Sequence, residues 1–302
     1  MTGRLILLDA PSLWYRAFHG VPESVTAPDG SPVNAVRGYL DLLARIIKDT
    51  RPTRLVAAVD LDWRPAFRVA AVPSYKLHRT TEGGAEAEPP ALAGQVAVIL
   101  EVQEAIGLAC VGVPGYEADD VLGTLATRAT GPTDVVTGDR DLFQLVRDDA
   151  PVRVLYTVEK LRPYDEAAVT ARYGIPGRAY ADFAVLRGDP SDGLPGVKGV
   201  GEKTAAALVS RFGSVEALLE AVDSGVPDGF PAGARARLEA SRDYLAVAPA
   251  VSRTVNDLSL PVFDDRLPAT PQDPGRVVAL ADRWGLDGPL GRLLGALALA
   301  AG

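Results

Sequence analysis

The chain has 302 residues, 47% of them hydrophobic and 23% charged, a composition typical of a globular protein with a full core. Its single cysteine, Cys110, excludes an internal disulfide framework. Its apolar runs are too short for a secretory leader or a membrane span, so we expect a cytoplasmic protein with no membrane partner. The net charge of −8 argues at first sight against nucleic acid as a partner.

In the first half of the chain, predicted strands alternate with predicted helices. Five short apolar runs predict buried strands: RLILLD, LVAAVD, LACVGV, DVVTGD and VRVLY. Residues 34–52 predict a helix whose apolar face contains Val36, Leu40, Leu43, Ile46 and Ile47. A further helix is expected in GYEADDVLGTLATRA, between the third and fourth strands. This alternation implies an α/β fold with a mostly parallel sheet, whose ligands bind outside the carboxyl ends of the strands.

Two segments depart from this alternation. Residues 73–90 lack hydrophobic periodicity and are rich in Gly, Glu and Thr, which predicts a mobile excursion beside the carboxyl ends of the strands. After Pro163 the patterns are helical, and residues 225–302 are rich in Pro and Ala. We therefore expect an α/β core over residues 1–160 and a helical region over residues 161–302.

Acidic residues gather where three of the predicted strands end. With two further groups, in GYEADD and GDPSDG, these make nine acids: Asp9, Asp60, Glu117, Asp119, Asp120, Asp139, Asp141, Asp189 and Asp192. Without these nine, the 39 acidic residues fall to 30, against 31 basic residues, so the acidity could reside largely in one pocket. Clustered carboxylates are costly unless cations neutralise them. Oxygen ligands without nearby His or Cys favour Mg²⁺ or Mn²⁺.

Each acidic group also has a simpler interpretation. Asp119 and Asp120 would stabilise the first turn of their helix, and Asp139 or Asp141 would cap a strand-to-helix turn. Aspartates at strand ends are often only turn residues. The coincidence of all these groups is what favours a metal pocket.

A glycine-rich segment, GLPGVKGVGEKTAAAL, occupies residues 193–208. Its glycines can present backbone N–H groups in a tight turn before a helix, although many helix connections need glycine for conformational reasons alone. Two of the five lysines of the chain stand in this turn, a combination suited to gripping the phosphate backbone of duplex DNA. The residues expected to contact DNA are Gly196, Lys198, Gly199, Gly201 and Lys203.

Taken in order, the motifs resemble those of the 5′-nuclease or flap endonuclease superfamily, and more closely the 5′-3′ exonuclease domain of bacterial DNA polymerase I. The matching motifs are LLDAPSLWYRAF, VNAVRGYL, VAAVD, FR followed by YKLHR, GYEADD, TGDRDLFQLV and GDPSDGLPGVKGVGEKTAAALV. They cover roughly residues 3–215, and their order makes the set highly specific.

The resemblance implies a PIN-like, resolvase-like core with a helical arch near residues 73–95 and a helix-hairpin-helix module near residues 189–212 that binds duplex DNA. It also implies that all nine acids belong to the metal site, that a K⁺ ion could sit at the hairpin, and that Tyr75, Lys76 and Arg79 at the base of the arch meet the scissile phosphate. The Gly- and Glu-rich stretch after Arg79 departs from the family pattern.

We therefore expect a structure-specific 5′-3′ exonuclease and flap endonuclease that acts in DNA replication and repair. Two divalent ions about 4 Å apart would activate a water and stabilise the leaving 3′ oxygen. The expected partners are DNA with 5′ flaps, nicks or free 5′ ends, and DNA polymerase or ligase, with the protein itself a monomer. Two alternatives stay open: a non-catalytic DNA-binding scaffold of the same fold, and a PIN-like ribonuclease.

Overall fold

The computed structural model describes residues 3–226 and 228–301, and a six-stranded sheet lies at the centre of these residues. Its strands are β1 (Leu5–Asp9), β2 (Arg54–Ala58), β3 (Ala109–Val111), β4 (Thr133–Thr137), β5 (Val152–Tyr156) and β6 (Arg162–Tyr164). They lie in the order β3-β2-β1-β4-β5-β6, with β6 antiparallel to β5 and the other neighbours parallel. The five predicted strands and the mostly parallel sheet are confirmed. β6 was not predicted, because its residues, RPY, contain no apolar run.

Helices cover both faces of this sheet. Those of the described residues are α1 (Ala10–Gly20), α2 (Asn34–Thr50), α3 (Ala66–Ala71), α4 (Pro90–Ile106), α5 (Ala118–Arg128), α6 (Glu166–Tyr173), α7 (Tyr180–Arg187), α8 (Glu202–Phe212), α9 (Val215–Asp223), α10 (Ala234–Ala240), α11 (Arg242–Val247), α12 (Pro249–Ser252), α13 (Pro274–Trp284) and α14 (Asp287–Ala301). α2 ends just before Pro52, where Arg51 adopts a left-handed conformation with φ 45°. None of these helices is both long and apolar enough to span a membrane.

The side chains of β1 divide the core into two layers. Ile6 and Leu8 point to one face of the sheet, where they pack with α1, α2, α4, α13 and α14. Leu5 and Leu7 point to the other face, where α5 and the helices from α6 to α12 lie. Because successive side chains of a strand alternate between faces, a strand buried on both sides has to be apolar throughout.

The helical second half of the chain does not pack as one block. α6 to α12 pack together on the α5 side of the sheet, whereas α13 and α14 return to the opposite side, against α4 and α2. β6 also extends the sheet beyond residue 160. The division of the chain near residue 160 stays a prediction, and these contacts place the helices that follow it on both faces of the sheet.

An extended segment joins α12 to α13, and we call residues 253–267 the strap. It lies along the outer side of α5, where Val255 O accepts a hydrogen bond from Thr124 Oγ1 at 3.1 Å. It then reaches the sheet, where Leu55 N donates to Asp265 O at 2.7 Å. Gly123 of α5 allows this approach, since a Cβ there would lie 2.6 Å from Asn256 Oδ1.

The segment expected to form the helical arch contains little regular helix. A 3₁₀ turn covers Leu77–Arg79, and a tight loop follows in which Thr81 N donates to Ala85 O at 2.8 Å. Gly84 takes a positive φ of 83° at the tip of this loop. α4 starts only at Pro90, because Gly83, Gly84 and Pro89 before it disfavour helix. We call residues 80–88 the acidic loop.

Candidate active site

A cavity of about 430 Å³ opens at the carboxyl edge of the sheet. β1 supplies Asp9, and the turns after β2 and β4 supply Asp60 and Asp139. Parallel strands end at the same edge, so these carboxylates meet although they lie far apart in the sequence. α5 begins beside them and adds Glu117 and Asp119. Five of the nine predicted acids therefore line one cavity.

Burial makes negative charge costly at this edge. The pKa of Asp9 is raised to about 7, mainly by burial, with a bond from Thr137 Oγ1 to Asp9 Oδ2 at 2.5 Å opposing the shift and the charge of Asp139 adding to it. Burial likewise raises the pKa of Asp60 to about 6 and that of Asp119 well above its usual range. These carboxylates would become fully ionised near neutral pH only with cations close by.

Glu117 is held by three side chains from the segment around α3. Its Oε2 accepts hydrogen bonds from Arg68 and, at 2.7 Å, from the Tyr75 hydroxyl. Its Oε1 accepts one from Lys76 Nζ. Arg68 is only 2% exposed, and its guanidinium also donates to Asp120 Oδ1 at 2.6 Å. The start of α5 is thus fixed by a buried cation and by the base of the predicted arch.

Asp120 lies behind the cavity rather than in its lining. Besides Arg68, its Oδ1 accepts from Val255 N of the strap at 2.9 Å, and its Oδ2 accepts from Glu117 N at 3.2 Å. Both oxygens are therefore engaged with the protein. The structure gives Asp120 the position of a residue that orients Glu117, and a direct role in metal binding stays a prediction.

A second acidic group adjoins the first at Asp139, whose Oδ1 accepts a hydrogen bond from Asp141 N at 2.8 Å. Burial, followed by the charges of Asp139, Asp192 and Asp189, raises the pKa of Asp141 well above its usual range. Burial also raises the pKa of Asp192 to about 6, with Lys76 opposing it. Asp189 instead turns to Arg187, 3.1 Å away. With Asp120 behind the cavity, the other eight acids form two neighbouring groups around Asp139.

The three residues predicted to meet the scissile phosphate take different positions. Lys76 and Arg79 line the cavity. Arg79 Nη2 donates to Ser191 O at 2.7 Å and lies 3.6 Å from Asp192, so it connects the predicted arch to the second acidic group. Tyr75 is 2% exposed and directs its hydroxyl at Glu117, which places it behind the cavity. Contact between Tyr75 and a substrate stays a prediction.

The donor atoms of the cavity suit Mg²⁺ and Mn²⁺, which prefer carboxylate oxygens. Within the described residues, no three acidic, His or Cys side chains converge into a ready ligand set. Two cationic side chains, Arg68 and Lys76, neutralise Glu117 in this arrangement. The residue types therefore suit divalent ions. In this conformation, the described carboxylates lie too far apart for three of them to bind one ion together.

The predicted DNA-contacting glycines form a compact turn before α8. Gly196 and Gly199 have positive φ values of 69° and 79°, and Gly201 immediately precedes α8. Gly196 packs so closely that a Cβ would lie 2.5 Å from Gly188 N. Both lysines of the turn, Lys198 and Lys203, are exposed. Contact with DNA stays a prediction, but the turn presents its cations outward.

Sequence reasoning assigned no role to Arg68, although it lies in the FR motif of the resemblance. In the sequence, Arg68 stands among apolar residues, and nothing there indicates that its own side chain will be buried. The available signal was the density of acids in GYEADD, because two carboxylates that become buried need a cation. Glu86 and Glu88 of the acidic loop also line the cavity, and the sequence patterns did not indicate them.

Comparison with family models places this architecture in a known class. Residues 4–174 match the N-terminal resolvase-like domain of 5′-3′ exonucleases, and residues 175–275 match the C-terminal SAM fold of 5′-3′ exonucleases. The sheet and its acidic cavity thus belong to a resolvase-like nuclease. The chain is a member of the 5′-3′ exonuclease family, as its motifs predicted.

Individual relatives agree with this assignment. A 5′-3′ exonuclease of Streptomyces coelicolor is 55% identical over 297 residues, covering 96% of this chain and 98% of that protein. DNA polymerase I of Mycobacterium tuberculosis is 44% identical over 227 residues, covering 73% of this chain and 24% of the polymerase. The D15 flap endonuclease of bacteriophage T5, in a complex with DNA and metal ions, shares the fold with a TM-score of 0.64 at 18% identity, covering 99% of this chain and all of that one.

Proposed function

We propose that this protein hydrolyses DNA from free 5′ ends and at 5′ flaps, using divalent metal ions. The observation that carries the proposal is the cavity at the carboxyl edge of the sheet, where five acids face Lys76 and Arg79. Such a site combines oxygen ligands for metal ions with cations for a phosphate. Membership of the 5′-3′ exonuclease family supports the same reaction.

The acids of the two groups would hold the ions: Asp9, Asp60, Glu117, Asp119, Asp139, Asp141, Asp189 and Asp192. When bound, Mg²⁺ or Mn²⁺ supplies an activated water and charge stabilisation of the leaving oxygen. Arg68 and Tyr75 keep the Glu117 carboxylate in place from behind. Lys76, which forms an ion pair with Glu117, is near enough to the cavity to turn toward a phosphate instead. There it would offset the negative charge that builds up during hydrolysis.

The duplex would be held by the glycine-rich turn before α8. Backbone amides and the exposed Lys198 and Lys203 can contact phosphates without reading bases. The T5 flap endonuclease with a similar fold forms a complex with DNA and metal ions, which supports DNA as the substrate class. DNA polymerase or ligase as protein partners, a bound K⁺ at the turn, a monomeric state and a cytoplasmic location remain predictions.

The test uses end-labelled flap, nicked and single-stranded DNA, with Mg²⁺ or Mn²⁺ and with product lengths resolved. The wild-type protein should release short 5′ products, and Asp139→Asn should abolish cleavage while DNA binding persists, because a carboxylate between the two acidic groups is lost. No cleavage by the wild type under any metal would favour a DNA-binding scaffold. Faster cleavage of a matched RNA strand would favour a ribonuclease.

A further inference from the structure

The acidic loop places two carboxylates in the cavity that the family motifs do not contain. Glu86 and Glu88 both line the cavity, whereas Glu82 of the same loop is exposed and does not. In an extended segment, residues two apart point to the same side. Ala87, between the two glutamates, is exposed. One side of the loop therefore faces the catalytic acids.

The position of Glu86 within the cavity is informative. After burial, the charges of Asp60 and Glu88 are the next largest causes that raise the pKa of Glu86, and Lys76 and Arg79 lower it. Glu86 thus lies within electrostatic reach of the two cations that the proposed function assigns to the DNA phosphate. Tyr15, on the α1 side of the cavity, has its pKa raised to about 12 by burial and then by Glu86 and Glu88, so these carboxylates lie within electrostatic reach of α1 as well.

Little holds the two glutamates where they are. Among the described residues, neither carboxylate makes a hydrogen bond or an ion pair. The loop is closed by its own backbone, through Thr81 N to Ala85 O at 2.8 Å and Ala87 N to Arg79 O at 2.7 Å. Displacing the side chains would break none of these bonds. Moving the two side chains out of the cavity therefore costs no hydrogen bond or ion pair of the described residues.

From these contacts we infer that the acidic loop is an autoinhibitory gate, in which Glu86 and Glu88 occupy the phosphate side of the cavity and DNA must displace them to enter. The inference rests on the proposed function, since it assumes that a phosphodiester binds beside Lys76 and Arg79. The carboxylates place negative charge in the part of the cavity where the DNA phosphate would approach these cations. The gate lowers the affinity for DNA and leaves the chemistry of a bound substrate unchanged.

The test compares Glu86→Gln with Glu82→Gln in the full chain. Both changes remove one charge from the same loop and keep the side-chain size, but only Glu86 lines the cavity. We expect Glu86→Gln to lower KM for a 5′-flap DNA about threefold, and Glu86→Gln with Glu88→Gln about tenfold, with kcat changed less than twofold. Glu82→Gln should change KM by less than about 1.5-fold. The gain should shrink as salt rises from about 0.05 to 0.3 M, because screening weakens the repulsion.

Three results would overturn the gate. One is an unchanged KM in the double variant, and another is an equal effect of Glu82→Gln, which would indicate a general charge effect. The third is a rise in the Mg²⁺ concentration needed for half-maximal activity, which would make the glutamates metal ligands. DNA binding measured in Ca²⁺ separates this question from the proposed function. A wild type that never cleaves DNA refutes the function, whereas a cleaving wild type with unchanged variants refutes the gate alone.

Discussion

Arg68 connects three parts of the site. Its side chain is 2% exposed, and it joins α3 to Glu117 and Asp120 at the start of α5. Its Nη2 also lies 3.4 Å from Arg253 O, where the strap begins. A buried cation shared between two carboxylates is worth little compared with an apolar core, but its removal leaves Asp120 without a cation and Glu117 with Lys76 alone. Arg68 is therefore where stability and the geometry of the site are most closely coupled.

We predict that Arg68→Gln lowers the free energy of unfolding by about 3–5 kcal/mol, because Glu117 and Asp120 lose their buried partner. Arg68→Lys should recover part of this loss, since an ammonium can pair with one carboxylate but cannot bridge two as a guanidinium does. Urea unfolding followed by circular dichroism measures both. The comparison variant is Tyr75→Phe, which removes one hydrogen bond to Glu117 and should cost about 1 kcal/mol. Equal stability of Arg68→Gln and wild type would contradict the proposed coupling.

The nine acids show how far the sequence alone could go. Strand-end aspartates such as Asp9 and Asp60 could be placed at one edge, because a parallel sheet brings strand ends together. Asp120 shares the motif of Asp119 but lies behind the cavity, a difference decided by the strap residue Val255, which is 135 positions away. Local periodicity contains no information about such a contact. The cavity position of Glu86 escaped prediction for the same reason.

At the scale of elements, the strap and the glycine-rich turn each depend on glycine, for different reasons. Gly196 and Gly199 provide positive φ values in the turn before α8. Gly123 has helical geometry in α5 and provides space, because Thr254 and Asn256 of the strap lie directly against it. The sequence signalled the first role through clustered glycines. It could not signal the second, since a lone glycine in a helix pattern looks like a weak point.

The close approach at Gly123 leads to a prediction for the strap. Gly123→Ala should destabilise the fold by about 1–3 kcal/mol, because the new methyl group would lie 2.6 Å from Asn256 Oδ1 and push the strap from α5. Gly94→Ala in α4 is the matched control, since nothing lies within 4 Å of a Cβ there. That change should stabilise the protein by about 0.5–1 kcal/mol. Thermal unfolding of the two variants should move in opposite directions, and a shift of the same sign would argue against the packing of the strap.

The turn before α8 leads to a prediction about DNA affinity. Lys198→Ala with Lys203→Ala should weaken binding to duplex-containing DNA equally across sequences. It should also flatten the plot of log Kd against log salt by about one to two units, at roughly 0.9 per phosphate contact. Binding is measured by fluorescence anisotropy in Ca²⁺ over a salt series. Cleavage at saturating DNA should keep much of its rate, because the cavity is untouched. An unchanged salt slope would mean that these lysines do not contact phosphates.

The whole molecule carries a net charge of −8. Some of its carboxylates are buried, where the ionised form is less favourable than in water. Asp9, with a pKa raised to about 7, and Asp60 and Asp192, with pKa values raised to about 6, bind protons more tightly in the folded state than in the unfolded chain. The stability that they contribute is complete below the unfolded value near 3.8 and is lost as the pH rises through about 6 to 7. Divalent ions bound by these residues would reverse this dependence, since they require the ionised carboxylates.

We therefore predict that, in a chelator, the melting temperature falls between pH 5 and pH 8. Adding Mg²⁺ or Mn²⁺ should raise the melting temperature more at pH 8 than at pH 5. Differential scanning calorimetry at four pH values, with EDTA or with excess metal, measures both trends. Asp9→Asn is the control, because it removes the acid with the pKa near 7 and should reduce the slope in EDTA. A melting temperature in EDTA that rises from pH 5 to pH 8 would contradict the assignment of these shifts.

The packing of α14 on α2 has a consequence for how the enzyme is made. Arg292 Nε of α14 donates to Asp41 Oδ1 of α2 at 2.8 Å, across 251 positions of the sequence. During synthesis on the ribosome, α14 emerges only after all the residues between it and α2 have been made. Until then the apolar side of α2 cannot pack against α14. Contacts of such separation form late and leave apolar surface open to other molecules in the meantime. A growing chain would thus contain every predicted site residue well before the layer beneath them is complete, so the nascent protein would pass through a long interval in which chaperone binding competes with self-association.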